Sequence, residues 1–337
     1  MESRNLAARV TIKTIAKDLG ISHMTVSRAL SDHPNVQKDT RELVKKRAAE
    51  LGYVKIAAAT AMRGDGTRIV GLLLPNIVNE FYASFANELA RICEAFSYQL
   101  IIHLTDDDLK TEHKAMQQLR EVQAKAVVVV PAPGDPVSTG HDPHHLDGLD
   151  VIQLIRQRSE TGREAAILVD DAGAISAAVK HLHATGHRKI AYIGANADLS
   201  SGRNRLKAYR RGLHESGLPE IQALIKTAPP SFSMGGASAE ALLSEGEATA
   251  IVCGGFEISN GALHALLTSG RRPGADIAFI GYGDPSFYTW IEGGISTIRV
   301  PVSPLANQTL QVLKSGTVDD DDAQIFEFQA ELVVRKS

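Results

Sequence analysis

The chain has 337 residues, 44% of them apolar, a formal net charge of −3 and two cysteines. That length exceeds one small core and calls for two or three domains. No apolar run reaches the roughly 18 residues of a membrane-spanning helix, and MESRNLAARV lacks the apolar core of a secretion signal, so neither a span nor export is expected. Cys93 and Cys253 lie in separate apolar segments, which argues against a disulfide framework or a zinc site and fits a reducing cytoplasm.

The charge is unevenly placed. Residues 1–68 hold 13 Lys and Arg against 7 Asp and Glu, and the remainder holds 23 against 32. A basic module on an acidic body points to a polyanion at the front end.

Two short helical patterns fill VTIKTIAKDLGISHMTVSRAL (10–30). Thr11 is a helix N-cap candidate, and Ile12, Ile15, Ala16 and Leu19 follow at helical spacing. Gly20 breaks the pattern. Ser22 is the second cap candidate, and Val26, Ala29 and Leu30 give the next helix its apolar face. His23, Met24, Ser27 and Arg28 remain on the other face. This pattern fits a helix-turn-helix, and taken alone it fits an ordinary helical hairpin equally well. A third helix is expected over TRELVKKRAAELG (40–52), opened by an Asp39/Glu42 capping box, with Leu43, Val44, Ala48 and Leu51 facing the hairpin. The alanine-rich stretch 55–68 reads as a linker released by Gly64 and Gly66, and a short helix there is marginal on its own.

From Arg68 the pattern changes to apolar runs of strand length alternating with amphipathic helices. RIVGLLLP, QLIIHL, AVVVVPAP, DVIQLI, AILVD, KIAYIG, AIVCGG and DIAFIG read as strands, and FEFQAELVVRKS reads as a final strand. Such alternation implies parallel sheets buried on both faces, with ligands bound beyond the carboxyl ends of the strands. HDPHH (141–145) reads as a solvated loop. In HLHATGH (181–187) the histidines suit a helix C-terminus rather than a metal. No Walker lysine motif, GxSxG, HExxH or GxGxxG occurs, and no nucleophile and base stand out, so neither an enzyme nor a bound cofactor is expected.

Headpiece, linker and two α/β halves in this order resemble the LacI family of bacterial transcriptional regulators. The most specific stretches are VTIKTIAKDLGISHMTVSRAL with ELGY, IVGLLLPNIVNEFYASFANEL, VDDAGAISAAVKHLHATGHRKIAYIG and STIRVPVSPLANQTLQVL. The resemblance implies an all-α helix-turn-helix headpiece joined to an α/β periplasmic-binding-protein-like (type I) core of two parallel-sheet subdomains. The expected divisions are headpiece 1–56, hinge 57–67 and core 68–337. Within the core, the N-subdomain is expected over 68–157 and 290–318, and the C-subdomain over 158–289 and 319–337.

The resemblance also implies a cytoplasmic homodimer on a near-palindromic operator, with a small-molecule effector controlling DNA affinity. It places DNA contacts at Thr11, Ser22, His23, Met24, Thr25, Ser27, Arg28 and Asn35, and hinge contacts at Ala59 and Met62. Effector contacts fall at Asn79, Phe81, Tyr82, Arg156, Arg203, Phe232, Phe256 and Asp284. Several positions depart from the family. Val54-Lys55-Ile56 replaces a proline-containing hinge entry, and Met62 replaces a leucine wedge. Ile155, Gly255-Phe256 and Gly283-Asp284 replace polar groups that typically hold sugar hydroxyls. Losing those partners argues against a neutral sugar, and an arginine suits a sugar acid or other small anion. The alternative is a regulator whose small-molecule site has lapsed.

Overall fold

The structure is a computed structural model. It describes residues 10–53, 67–134, 149–158, 164–291, 293–316 and 324–337. Ala59, Met62 and the HDPHH segment lie outside the described residues. Contacts divide the chain into two units, Met1–Thr67 and Arg68–Ser337.

The first unit holds α1 (Ile12–Leu19), α2 (His23–Ala29) and α3 (Lys38–Glu50). Thr11 caps α1 through a reciprocal box with Thr14, and Gly20 ends it in the left-handed conformation at φ +66°. Ser22 caps α2 by accepting from the Thr25 amide at 3.0 Å. Ile15, Val26, Ala29 and Val44 are fully buried at the centre, and each large one contributes roughly 1.5–3 kcal/mol by leaving water. Two expectations for α3 fail. Its N-cap is Gln37, with no side-chain cap bond, so Asp39 lies within the first turn and forms no capping box. Leu43 is 53% exposed, because the turn that buries Val44 and Ala48 points it outward.

The second unit contains two six-stranded sheets. The first is built from β1 (Ile69–Leu74), α4 (Glu80–Ala95), β2 (Gln99–Leu104), α5 (Leu109–Glu121), β3 (Ala126–Val129), β4 (Asp150–Leu154) and β5 (Ala165–Asp170). The chain then forms α6 (Ala172–Ala184), β6 (Ile190–Ala195), α7 (Ser200–Glu215), β7 (Ile225–Ala228), α8 (Phe232–Glu245), β8 (Ala250–Gly254), α9 (Phe256–Thr268), β9 (Ala278–Tyr282) and β10 (Ser296–Arg299). It closes with α10 (Val302–Ser315), β11 (Ile325–Gln329) and β12 (Glu331–Val333).

The first sheet runs β11-β5-β4-β3-β1-β2 and is parallel throughout. The second runs β12-β10-β9-β8-β6-β7, with only β12 antiparallel to its neighbour. All six residues of β1 are buried. Val70, Leu72 and Leu74 face one apolar cluster, and Ile69 and Leu73 face another, which explains the unbroken apolar run.

The subdomain limits differ from those expected. β5 was placed in the second half and belongs to the first sheet, where β4 pairs with it from Ile152 opposite Ala165. β10 was placed in the first half and belongs to the second sheet. The final apolar segment is two strands. β11 pairs with β5 in the first sheet and β12 with β10 in the second. The chain therefore crosses between sheets at Asp171, between Arg299 and Val302, and at Ala330. Each crossing is only one or two residues long, so it leaves no composition signal.

Candidate nucleic-acid interface and ligand cleft

In the first unit, the side of α2 turned away from the small core carries His23, Met24 and Arg28, all exposed. Met24 is 53% exposed, so it does not pack into the core. Thr25 and Ser27 are half-buried at the edges of this face. The Ser22 and Thr25 hydroxyls share a 2.9 Å hydrogen bond. Asn35 is exposed in the loop after α2, with its amide on His33 Nδ1 at 3.2 Å. Lys45 on α3 pairs with Asp32 at 2.6 Å, and Arg47 pairs with Asp18 of α1. These hold the loop and α1 against α3. A short helix capped by hydroxyls and presenting a methionine, an arginine and a histidine has the chemistry to read base edges, while the hydroxyls suit phosphate.

In the second unit, the carboxyl ends of both sheets converge on one cleft. Asn79 caps α4, its side chain accepting from the Phe81 amide at 3.1 Å, and its own amide donates to Asn76 Oδ1. This turn fixes Phe81 and Tyr82 in the first turn of α4, both buried. Phe81 meets Phe256, the first residue of α9, with ring centroids 5.2 Å apart. Phe256 in turn packs edge-on to Tyr282 at 5.3 Å. Burial pushes the Tyr82 phenol up, opposed by Arg156 and Arg205, so this side chain lies among charges from both halves.

Arg156 is delivered by an unusual turn. Ile155 has φ +63°, and the Arg156 amide bonds back to Leu154 O at 2.7 Å. A β-branched residue in that conformation costs on the order of 1–3 kcal/mol. The turn aims Arg156 inward, where it is 6% exposed, pairs with Asp107 and donates to Pro131 O. Beside it, Arg158 holds Glu112 at 2.7 Å and Ala132 O at 3.1 Å, and its Nε has no partner among the described residues. A cavity of about 460 Å³ opens here, with Arg156, Arg158 and Arg203 in its wall beside Pro131–Gly134, Gln157 and Asp198–Ser200. Among the described residues, three arginines line it beside one acidic residue, Asp198.

Beneath the aromatic rings lies a second charged group. Arg205 Nε and Tyr282 Oη both meet Asp171 Oδ2, at 2.5 and 2.6 Å, and Arg205 Nη1 donates to Gly254 O. The guanidinium stands 4.2 Å from the centre of the Tyr282 ring. Tyr192 is buried nearby, and its hydroxyl has no partner among the described residues. A Cβ on Gly254 would fall 2.2 Å from that hydroxyl, so the glycine is what admits the Tyr192 ring.

Residues 67–302 match the family described as periplasmic binding proteins and sugar binding domain of LacI family, and residues 11–55 match the bacterial regulatory proteins of the lacI family. The chain belongs to the LacI family. As a LacI-family protein it is a DNA-binding transcriptional regulator. It is similar to catabolite control protein A of Priestia megaterium, at 27% identity over 326 residues covering 94% of this chain and 96% of that one. It is also similar to the transcriptional regulator GalR of Escherichia coli (strain K12), at 26% identity over 303 residues, covering 90% of this chain and 88% of that protein. The lac repressor dimer bound to operator and the anti-inducer ONPF shares the fold, with a TM-score of 0.81 at 22% identity over 97% of this chain and 98% of that one.

Within this LacI-family fold, the structure gathers some of the expected effector residues and separates others. Asn79, Phe81, Tyr82, Arg156 and Phe256 converge at the strand ends, and Arg203 reaches the cavity wall. Phe232 does not join them: it is 48% exposed and its ring lies 5.5 Å from that of His264 on α9. Asp284 is engaged elsewhere, with Arg335 at 2.6 Å and Arg299 at 2.7 Å. Sequence reasoning missed Asn76, Arg158, Asp171, Arg205, Glu257 and Tyr282. The described residues hold no cluster of three or more potential metal-binding side chains, and no helix long and apolar enough to cross a membrane.

Proposed function

We propose that the chain is a cytoplasmic, homodimeric repressor whose affinity for a near-palindromic operator is set by a small anion, of the sugar-acid type, held between the core halves. The observation that carries the ligand class is the cavity wall of Arg156, Arg158 and Arg203. Guanidinium groups match carboxylate and phosphate in charge and fork geometry. The departures at Ile155, Phe256 and Gly283 add to this by removing acceptors for sugar hydroxyls. The α2 face of His23, Met24 and Arg28 would enter the major groove, with Thr11, Ser22, Thr25, Ser27 and Asn35 on phosphates. Ala59 and Met62 would meet the minor groove, where a methionine can wedge between base steps. The ligand must favour one arrangement of the halves by about 1–3 kcal/mol to act as a switch. Relatives differ in ligand: one structure of this fold is a CelR–cellobiose complex, a neutral sugar bound by that protein. Isothermal titration against uronates, aldonates and sugar phosphates, each beside its neutral parent sugar, tests the reading. Selective binding of an acid supports it, and selective binding of a neutral sugar overturns it.

A second reading has its own support. Arg156 and Arg158 already hold Asp107 and Glu112, and Phe81 meets Phe256 across the cleft. These contacts also suit a site that no longer takes a ligand. A thermal-shift screen in which one metabolite stabilises the protein specifically would reject this alternative.

A further inference from the structure

Residues of the two core halves meet at three places. Phe81 of α4 lies against Phe256 of α9, with centroids 5.2 Å apart and planes at 35°. Asn76 and Glu257 are neighbours: burial raises the Glu257 carboxyl, and the Asn76 side chain opposes that rise. The Gln157 amide donates to Ser200 Oγ at 3.0 Å. The rings form one continuous run: Phe85 stacks on Phe81 at 6.2 Å, Phe81 on Phe256, and Phe256 edge-on to Tyr282. Backbone has been shaped to admit this run. Gly283 has φ +110°, and a Cβ there would fall 2.4 Å from the Phe256 ring.

Phe256 stands where the family resemblance implies a polar group. A carboxylate at that point would be an acceptor for ligand hydroxyls. A phenyl ring instead brings apolar area that is stable only against other apolar area. None of Phe81, Phe256 or Tyr282 lines the arginine-walled cavity. The aromatic run and the arginine-walled cavity share no lining residue among those described.

We infer that Phe256 is a specificity-determining residue that bridges the two core halves through Phe81 and fills its part of the cleft with apolar area that hydroxyl-rich ligands cannot use, leaving the arginine-walled cavity as the ligand compartment. The bridging part stands on the ring contacts alone. The selectivity part rests on the proposed anion-responsive function.

The test uses the full chain and the variants Phe256→Ala, Phe81→Ala, the double variant, and Phe256→Leu, which keeps apolar bulk. Hydrogen exchange is followed in segments 76–82 and 256–260, with 190–195 as an internal control. The expected result is exchange about tenfold faster in both segments for each alanine variant, no further gain in the double variant, and near wild-type exchange for Phe256→Leu. Unchanged exchange, or fully independent effects in the double variant, overturns the bridge. Should an alanine variant fail to fold, the Phe81→Val and Phe256→Val pair and their double variant, shortened enough to lose the ring contact, run the same cycle. Titration of Phe256→Ala with the acids and their parent sugars is expected to lower the acid-over-sugar preference at least fivefold, and an unchanged preference overturns the selectivity role. If the wild type binds no acid while the exchange cycle holds, the anion reading fails and the bridge stands. If acids bind but exchange is unaltered, the reverse is true.

Discussion

The Tyr282 hydroxyl donates to the Asp171 carboxylate at 2.6 Å, joining the end of β9 to the first crossing between the sheets. The same oxygen receives Arg205 at 2.5 Å, and all three side chains are buried. A carboxylate in this position is tolerable because both partners are fixed: Arg205 by Gly254 O, and Tyr282 by its place in the sheet.

Removing one member of this group leaves a buried charge without its counterion. Arg205→Met is expected to cost about 3–5 kcal/mol. Asp171→Leu should cost a similar amount, and the double variant less than either single change, because no uncompensated charge remains. Urea unfolding followed by circular dichroism measures all three. Additive losses would show that the pair does not act as a unit.

Asp284 supplies a pH dependence. Burial alone would raise its carboxyl, but hydrogen bonds and charge from Arg335 and Arg299 outweigh burial and hold it below the usual carboxylate range. A folded value below the unfolded value of about 3.9 means that the stabilisation is present above that value and is lost as pH falls through the lowered one. The wild type should therefore exceed Asp284→Asn in stability at pH 6. The gap should shrink below about pH 4. Urea midpoints measured from pH 6 downward check this, and a gap that widens on acidification would contradict it.

Helix α2 depends on its cap. α2 has only seven residues, and Ser22 satisfies the Thr25 amide. Ser22→Ala is expected to cost about 1 kcal/mol, Ser22→Asp much less. Exchange of the α2 amides should rise about fivefold in the alanine variant and stay near wild type with aspartate.

Much of this was legible in the chain itself. Thr11, Gly20 and Ser22 mark helix ends by local chemistry, and a strand buried on both faces, such as Ile69–Leu74, announces itself by composition. Arg205 was readable too. On α7 the buried residues Gly202, Arg205, Ala208, Tyr209, Gly212 and Leu213 follow helical spacing. That register puts Arg205 inside and leaves Arg203 exposed, so the periodicity of the apolar face is a better guide to the buried arginine than the motif match to Arg203. Other features had no local signal. Asp284 finds Arg299 and Arg335 from 15 and 51 residues away. The sheet membership of β5, β10 and β11 is decided by pairing with distant strands. Phe232 rests on the family resemblance alone, and its ring lies against His264 instead.

The most direct test of the account is binding-site selection from random duplex DNA with the full chain, repeated after exchanging residues 23 and 24 (His23→Met with Met24→His). The wild type is expected to enrich one near-palindromic sequence. The exchanged protein should select different base pairs at one or two positions in each half-site, each worth about 1–3 kcal/mol of discrimination. An identical selected sequence from both proteins, or no enriched sequence from the wild type, would contradict the assignment of the exposed α2 face as the DNA reader.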